Sequence, residues 1–197
     1  MLALPSDVAV DWPDSADATL HAEVHRLLRD VVELGGAVGW THVPTPDETA
    51  EWLDRELGLV RARAAALAVV RRSGRVEAVG LWARFRSPVL RHNAEVRKVM
   101  VHPAARGFGL GRVVLQSLAE RAAQSEVEVL VLDVRGNNHG AQALYASLGW
   151  LECGRVPDFI AVGDDRWDQV SFYLELPRPD GVRRHGGRPV GPGASSR

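Results

Sequence analysis

The chain lacks several features that would mark particular classes of protein. It has a single cysteine, Cys153, so an internal disulfide is excluded and a reducing compartment suits the composition. Its formal net charge is -1, which gives no general attraction to nucleic acid or to an anionic membrane. It has no apolar run long enough to span a bilayer and no basic segment ahead of an apolar N-terminal stretch. We therefore expect a soluble, cytoplasmic protein whose partners include neither nucleic acid nor a membrane.

The length of the chain bounds its organisation. A chain of 197 residues is long enough for one domain with a proper core and too short for two full domains. After Leu176 the composition changes to a Pro-, Gly- and Arg-rich stretch with too little apolar content to bury anything. We predict one domain over residues 1 to 176 and a disordered tail over residues 177 to 197. No spacing of His, Cys and carboxylate residues indicates a metal site.

The most informative stretch runs from residue 94 to residue 120. Valine-rich positions that end at Pro103 predict a strand, and apolar positions at helical spacing from Val113 onward predict a helix. Between them lies the loop of residues 106 to 112, Arg-Gly-Phe-Gly-Leu-Gly-Arg. The first turn of a helix has unpaired backbone N–H groups and the positive end of the helix dipole, and glycines let a ligand approach closely. We predict that this loop binds a pyrophosphate.

Two common phosphate motifs do not fit this loop. A P-loop would need Gly-Lys followed by Ser or Thr, whereas Gly111 is followed by Arg112 and Val113. The dinucleotide fingerprint would need a third glycine where Arg112 stands. A glycine-rich turn that merely starts a helix is the alternative that the loop alone leaves open.

The rest of the chain predicts helices and strands on either side of the loop. Periodicity predicts helices over residues 19–34, 47–57, 109–124 and 139–148. Strand signals cover a hairpin of residues 65–72 and 75–86, and then residues 126–134, 150–155 and 169–176, with a loop over residues 156–168. In the central strand Val96 is out of step with Val99 and Val101, which indicates either a β-bulge or a strand buried on both faces.

Two segments carry a family resemblance. Arg106, Gly109 and Gly111 fill the pattern Arg/Gln-x-x-Gly-x-Gly/Ala, directly after a strand that ends in Val-His-Pro. A second pattern, Asn-x-x-Ala-x-x-Leu-Tyr-x-x-x-Gly-Phe/Trp, is filled downstream by Asn138, Ala141, Leu144, Tyr145, Gly149 and Trp150. Together the segments resemble the GNAT acyl-CoA N-acyltransferases. The resemblance implies an α/β (α+β) fold: a mixed, mostly antiparallel sheet with a parallel central strand pair splayed around acetyl-CoA and helices on both faces.

The resemblance also implies which residues bind the coenzyme and act on it. Acetyl-CoA would contact Val99, Met100, Val101, Arg106, Gly107, Phe108, Gly109, Leu110, Gly111, Arg112, Asn138, Ala141 and Tyr145. Backbone N–H groups near Val99 to Val101 would donate to the oxyanion. Tyr145 would act on the coenzyme sulfur as the acid, and the alternative for this residue is an aromatic that packs between helix and sheet.

The general base and the acceptor pocket are defined less closely by the resemblance. Glu95 matches a position where relatives carry a glutamate, and it would act through a water. It could equally be a surface carboxylate paired with Arg97 or Lys98. Asp133, at the end of its strand, is a second candidate for the base, and His102 and His139 are weaker ones. In the family the first two helices border the acceptor, so Trp40 and Trp52 are candidate pocket walls, whereas Cys153 is interpreted as a small buried side chain.

A finer resemblance suggests the acceptor. Residues 93 to 112, the segment around Trp40 and the closing strands together look like the tabtoxin resistance acetyltransferases, although the turn around Gly163 departs from that branch. This implies transfer of acetyl to a primary amine of an amino acid or an amino-acid-like toxin. A protein N-terminus or lysine is the rival acceptor, and a non-catalytic acyl-CoA-binding regulatory module is the alternative from another class. A homodimer is compatible with the family, but the sequence does not show an interface.

Overall fold

The computed structural model describes residues 4–36 and 38–178, and these form one seven-stranded sheet with helices on both faces. The strands are β1 Val8–Asp11, β2 Ala65–Arg72, β3 Arg75–Arg84, β4 Asn93–Val101, β5 Val129–Arg135, β6 Leu151–Val162 and β7 Asp165–Glu175. The helices are α1 Ala18–Glu33, α2 Pro46–Arg61, α3 Leu110–Gln124 and α4 His139–Ser147. Among these strands, in the order β1-β2-β3-β4-β5-β7-β6, only β4 and β5 pair in parallel. The predicted fold class is confirmed.

Strand alternation divides the core into two layers. Neighbouring residues of a strand point to opposite faces of a sheet, and Leu67 and Ala68 accordingly belong to different clusters. The cluster with Leu67 lies beneath α1 and α2, whereas the cluster with Ala68 lies beneath α3. Leu53 of α2 and Leu118 of α3 are both fully buried. Each helix is therefore fixed to the sheet by its apolar stripe.

Side chains define where three of the four helices begin. Asp17 accepts a hydrogen bond from the Leu20 N–H at the start of α1. Thr45 and Glu48 form a capping box at the start of α2, and Asn138 caps α4. Helix α3 begins differently, because its N-cap is Gly109 and no side chain caps it. That difference leaves the first turn of α3 open, in line with an anion site.

The central strand β4 contains the predicted bulge. Val79 faces Met100 while Leu81 faces Arg97, so β4 carries one extra residue over this interval. Lys98 lies at this point with φ of 56°, and a β-bulge of this kind bends the strand. The parallel pairing of β4 with β5 covers only residues 93 to 95. Beyond the bulge, β4 has no strand partner on its β5 side.

The predicted loop over residues 156 to 168 is wrong, because β6 and β7 form one long hairpin. β6 continues to Val162 and β7 begins at Asp165. Pro157 suggests a loop in the sequence, but β6 is an edge strand, where proline is tolerated. A register shift between Val156 and Ile160, with φ of 54° at Asp158, absorbs the extra residues.

Strand β5 begins at Val129 rather than at the predicted residue 126. The three residues before it still close the end of α3, because the Val127 N–H donates to the carbonyl of Ala122 at 3.0 Å. The predicted tail, residues 177 to 197, lies from residue 179 onward outside the described residues. Within residues 4–36 and 38–178, no helix has the length and apolar content needed to cross a membrane.

Candidate functional site

The glycine-rich loop presents a run of backbone donors without partners. In the described part of the chain, no group accepts a hydrogen bond from the N–H groups of residues 107 to 112. Gly107 and Gly109 have φ of 84° and 75°, a conformation that only glycine adopts at little cost. A Cβ atom at either position would meet no atom within 4 Å. The loop is thus an open cradle of N–H groups at a helix N-terminus, which fits a pyrophosphate.

The side chains of this loop have different roles. Leu110 is buried, so its side chain fixes the loop to the core and only its backbone faces outward. Arg106 and Arg112 are exposed, and their guanidinium groups supply positive charge next to the cradle. Phe108 is 53% exposed, and the guanidinium carbon of Arg72 lies 3.6 Å from its ring centroid. Phe108 is therefore held by a cation–π contact instead of by core packing.

The structure brings the two sequence motifs together. Arg112 donates a hydrogen bond from Nη2 to Oγ of Ser147 in α4 at 2.9 Å. A Cβ atom on Gly111 would lie 3.1 Å from Leu144 Cδ2, so α4 packs directly on the first turn of α3. Asn138 uses its Oδ1 to cap α4 by accepting from the Ala141 N–H at 3.2 Å. The Asn138 oxygen is therefore already engaged, and its amide N–H groups are what it can offer to a ligand.

Tyr145 lies in the cluster beneath α3 and is only 7% exposed. Its ring contacts the rings of Trp150 and Phe172, with centroid distances of 6.1 and 5.5 Å. Burial raises the pKa of Tyr145 to about 12, so the phenol is protonated at neutral pH. Among the described residues nothing hydrogen-bonds to its hydroxyl. The packing role and the role of a proton donor are both compatible with this position.

The edge of β4 that faces β5 carries unpaired backbone donors. The His102 N–H donates to the carbonyl of Glu77 on β3 at 2.8 Å. Because successive residues of a strand direct their N–H groups to opposite edges, Val99 and Val101 direct theirs towards β5. No β5 residue pairs with them. These two donors are placed to act on a carbonyl oxygen between the strands.

A cavity of about 420 Å³ lies beside the bulge, between α2, β4 and the loop between α1 and α2. Trp40 and Trp52 form one wall, with ring centroids 5.7 Å apart and ring planes at 85°, as the sequence predicted for a pocket border. The remaining lining residues are mostly charged: Gly39, Glu48, Glu51, Arg55, Glu56, Arg97 and Lys98. The Glu56 carboxylate is buried and lies 2.9 Å from Nη2 of Arg97. The cavity is therefore polar, with aromatic rings on one side.

Glu95 lies in a second cavity that adjoins the first at Arg97. This cavity measures about 780 Å³ and also contains Arg63, Arg84, Arg91 and His92. The closest oxygen of Glu95 lies 4.0 Å from Nη1 of Arg97, which is a weak contact. Both predicted roles therefore remain open for Glu95, although it does not share the cavity of the two tryptophans.

The other candidate bases have structural partners or lie at the surface. The Asp133 carboxylate accepts a hydrogen bond from Ser171 Oγ at 2.5 Å. His102 lies 2.8 Å from Asp30 Oδ2 and 3.5 Å from Glu77 Oε2, which ties β4 to α1 and β3. The prediction that Cys153 is buried is wrong, because its position on edge strand β6 leaves it exposed. His139 is exposed at the first position of α4.

The sequence analysis did not identify Lys98 as a site residue, although the amino-acid composition sets this residue apart. Of 24 lysine and arginine residues, this is the only lysine. Its ammonium nitrogen lies 4.0 Å from the centroid of the Trp40 ring and donates to the carbonyl of Val38. Burial lowers the pKa of Lys98 to about 8. A solitary lysine among arginines, at the position where the strand changes phase, is the pattern that points to it.

A helix capped by a glycine loop, next to a bulged strand that separates from its parallel neighbour, is the arrangement of the acyl-CoA N-acyltransferases that the sequence resembles. Residues 35–150 match the model of the Acetyltransferase (GNAT) family. The chain belongs to this family. In the described residues no group of His, Cys, Asp and Glu is placed to hold a metal ion.

Known relatives include enzymes with different acceptors. The chain is 30% identical over 107 residues to the L-amino acid N-acyltransferase MnaT of Escherichia coli (strain K12), over 52% of this chain and 60% of that relative. It is 32% identical over 88 residues to the ribosomal protein bS18-alanine N-acetyltransferase of the same organism, over 45% of this chain and 60% of the relative. The chain thus spans about 60% of the length of these relatives.

The fold also matches solved structures over nearly their whole length. The structure of yncA, an acetyltransferase from Salmonella typhimurium with acetyl-CoA, aligns with a TM-score of 0.75 at 23% identity. The alignment covers 89% of this chain and 97% of that chain. At this identity the similarity shows a shared fold.

Proposed function

We propose that the protein transfers the acetyl group of acetyl-CoA to a primary amine of a small polar acceptor, an amino acid or an amino-acid-like toxin or antibiotic. The observation that carries this proposal is the run of unpartnered N–H groups of residues 107 to 112 beside the unpaired edge of β4. The first feature suits the pyrophosphate of the coenzyme and the second suits its thioester end. The proposed setting is the cytoplasm, with residues 1 to 176 as the catalytic domain.

In this proposal each group of the site has one task. Acetyl-CoA supplies a thioester whose acetyl carbon the amine attacks directly, so that a C–N bond forms as the C–S bond breaks. The N–H groups of Val99 and Val101 donate to the acetyl oxygen as it gains negative charge. Tyr145 is protonated at neutral pH, as an ordinary tyrosine is, and gives its proton to the departing sulfur.

The attacking amine must also lose a proton. Glu95 is the proposed acceptor of that proton, through a water, because it lies in the cavity that adjoins the two-tryptophan cavity at Arg97. The carboxylate of Asp133 is engaged by Ser171, and His102 lies between Asp30 and Glu77. His139 lies at the surface, outside both cavities, so Glu95 is the predicted base that we place at the acceptor.

The acceptor class is proposed from the size of the cavity and from the relatives. A volume of about 420 Å³ suits a single small molecule. The relative MnaT is named for acyl transfer to L-amino acids, and the segments that resemble the tabtoxin resistance branch favour the same class of acceptor. The relative named for ribosomal protein bS18 alanine keeps a protein N-terminus as the second candidate.

The experiment that tests the proposal follows thiol release from acetyl-CoA in the presence of amino acids, polyamines, aminoglycosides and short peptides. Direct binding of acetyl-CoA is measured in parallel. Thiol release with amino acids only is the expected result. Thiol release with peptides only would mean that the acceptor is a protein N-terminus instead of a small molecule. Binding of acetyl-CoA without thiol release would favour a non-catalytic acyl-CoA-binding module. Absence of binding would overturn the assignment of residues 106 to 112.

A further inference from the structure

The ammonium group of Lys98 has N–H donors that no described protein group accepts. An ammonium has three N–H donors, and in the described part of the chain Lys98 donates one hydrogen bond, to the carbonyl of Val38. The face of the Trp40 ring covers another side. None of the described carboxylates lies within 4.0 Å of this nitrogen. The positive charge therefore lacks the counter-charge that a half-buried ammonium normally requires.

The protein holds this ammonium in a fixed place. A Cβ atom at Gly39 would lie 2.6 Å from Nζ, so the loop between α1 and α2 closes on the side chain as tightly as glycine allows. The bulge in β4, with φ of 56° at Lys98 itself, removes this residue from the normal alternation of side chains between the two faces of the sheet. Trp52 supports Trp40 from behind through an edge contact. This arrangement is preorganised, which is the property expected of a group that binds a ligand.

The charged groups that line the cavity are three cations and three anions, so its formal charge is zero. Glu56 is neutralised by Arg97, and Glu48 is used in the capping box of α2. Among the other charged groups of the cavity, Lys98 and Arg55 are cations and Glu51 is an anion. The carboxylate of a ligand would therefore pair with a cation that has no ion-pair partner in the described residues, as Lys98 has none.

We propose that Lys98 binds the carboxylate of the acceptor and so makes the enzyme select free amino acids over peptide N-termini. The proposal rests on the proposed function, because it assigns the acceptor class of the same site. In an α-amino acid one carbon separates the amine from the carboxylate, so a carboxylate bound to Lys98 would keep the amine in the cavity that Lys98 lines. A peptide N-terminus has an amide at this distance, which offers no charge to the ammonium.

The protonation of Lys98 sets the pH range of this selection. Burial lowers its pKa to about 8, while Glu56 acts to raise it and the charges of Arg97 and Arg55 act to lower it. Val38, Gly39 and Trp40, which close over the ammonium, bring no ionisable side chain. We expect the KM for a free amino acid to rise as pH increases through 8, with no such rise for the corresponding carboxamide.

The kinetic test compares an L-amino acid with its carboxamide in wild type, Lys98→Met and Lys98→Arg. In Lys98→Met the KM for the acid should rise by roughly 10- to 100-fold, the effect of losing one charge-assisted hydrogen bond, whereas kcat/KM for the carboxamide stays within about twofold. Lys98→Arg should retain part of the preference for the acid over the carboxamide that Lys98→Met loses. Arg75→Met, which removes an exposed cation outside both cavities, is the matched control. The proposal would be overturned if Lys98→Met lowered kcat/KM equally for the acid and the carboxamide, or lowered it for neither.

A binding test separates this proposal from the proposed function. Because Lys98 is the only lysine, protein labelled with ¹⁵N and ¹³C in lysine gives one side-chain resonance set by NMR. Adding the L-amino acid to the coenzyme A complex should shift this resonance, and adding the carboxamide should not. A shift without any thiol release would keep the carboxylate site and reject the transferase. Thiol release without a shift, or neither, would reject the carboxylate site.

Discussion

Gly80 of β3 faces Val114 of α3 so closely that a Cβ atom on Gly80 would lie 2.5 Å from Val114 Cγ1. Leu118 Cδ1 would lie 3.2 Å from the same atom. Any side chain here would push α3 off the sheet. Since the glycine-rich loop leads into the N-terminus of α3, this contact also sets the position of the loop relative to β4.

Gly80→Ala should therefore destabilise the fold. We expect a loss of about 1–3 kcal/mol in the free energy of unfolding, the usual cost of overpacking a core, measured by urea denaturation. Gly140→Ala is the matched control, because a Cβ atom in α4 at that position would meet nothing within 4 Å, and it should gain up to about 1 kcal/mol. Equal stability of the two variants would show that α3 can move away from β3.

Gly109→Glu should abolish acetyl-CoA binding. The substitution places bulk and negative charge in the cradle of N–H groups, and it also imposes a strained φ of 75°. Gly109→Ala carries the same strain without the charge and separates the two effects. Calorimetric titration should give a smaller loss of affinity for the alanine variant than for the glutamate variant. Unchanged affinity in Gly109→Glu would contradict the pyrophosphate assignment.

Tyr145→Phe should lower kcat by roughly 100-fold, the lower end of the range for losing a general acid. Affinity for acetyl-CoA and the free energy of unfolding should change little, because the ring contacts with Trp150 and Phe172 are kept. Steady-state kinetics and a melting curve provide the measurement. A normal rate would mean that Tyr145 acts only in packing.

Glu95→Gln tests the proposed base. The variant keeps the shape of the side chain and removes its ability to accept a proton, so kcat should fall and the acidic limb of the pH–rate profile should disappear. Asp133→Asn is the comparison, since that carboxylate is engaged by Ser171. If the acidic limb instead disappears only in Asp133→Asn, the base is Asp133.

Lys98 should make the stability of the protein depend on pH in a particular direction. Its pKa is 10.5 in the unfolded reference and about 8 when folded, so between these values the unfolded state holds the proton that the folded state has released. The free energy of unfolding therefore rises with pH across this window. Lys98→Met should remove the rise, as measured by urea denaturation from pH 7 to pH 10. A rise of the same size in both proteins would assign it to another group.

Much of the fold could be predicted from local sequence signals. Helix starts near residues 19 and 47, the turn between residues 72 and 75, and the phase slip between Val96 and Val99 all depend on residues near each other in the chain. The structure contains each of them, with the two helices beginning one residue earlier, at Ala18 and Pro46. The long hairpin of β6 and β7 was not predicted, because the tolerance of Pro157 depends on its being in an edge strand. Edge positions follow from the order of strands in space, which local patterns do not contain.

The sequence predicted the glycine loop, the segment after Asn138 and the two tryptophans of the cavity, but it did not predict the role of Lys98. The glycine loop and the segment after Asn138 are each continuous in sequence and could be recognised as motifs, whereas their contact through Arg112 and Ser147 joins residues that are far apart in the chain. The acceptor side is assembled from α2, the loop before it and the bulge in β4, which are separated by many residues. Lys98 meets Val38 and Trp40 only after folding, so its charge, burial and lowered pKa could not be derived from its neighbours in the chain.

The exposure of Cys153 on β6 has a practical consequence for enzymology. It is the only cysteine of the chain and it is exposed, so each protein molecule adds one reactive thiol to a solution in which coenzyme A release is followed with a thiol reagent. Partial burial and, after it, the Asp133 charge raise the pKa of this thiol, which slows its reaction without preventing it. Enzyme preparations will therefore show a slow, stoichiometric background that scales with protein and not with acetyl-CoA. The Cys153→Ser variant removes that background. In the wild-type protein, Cys153 offers a single defined position for attaching a fluorophore to the edge of the sheet.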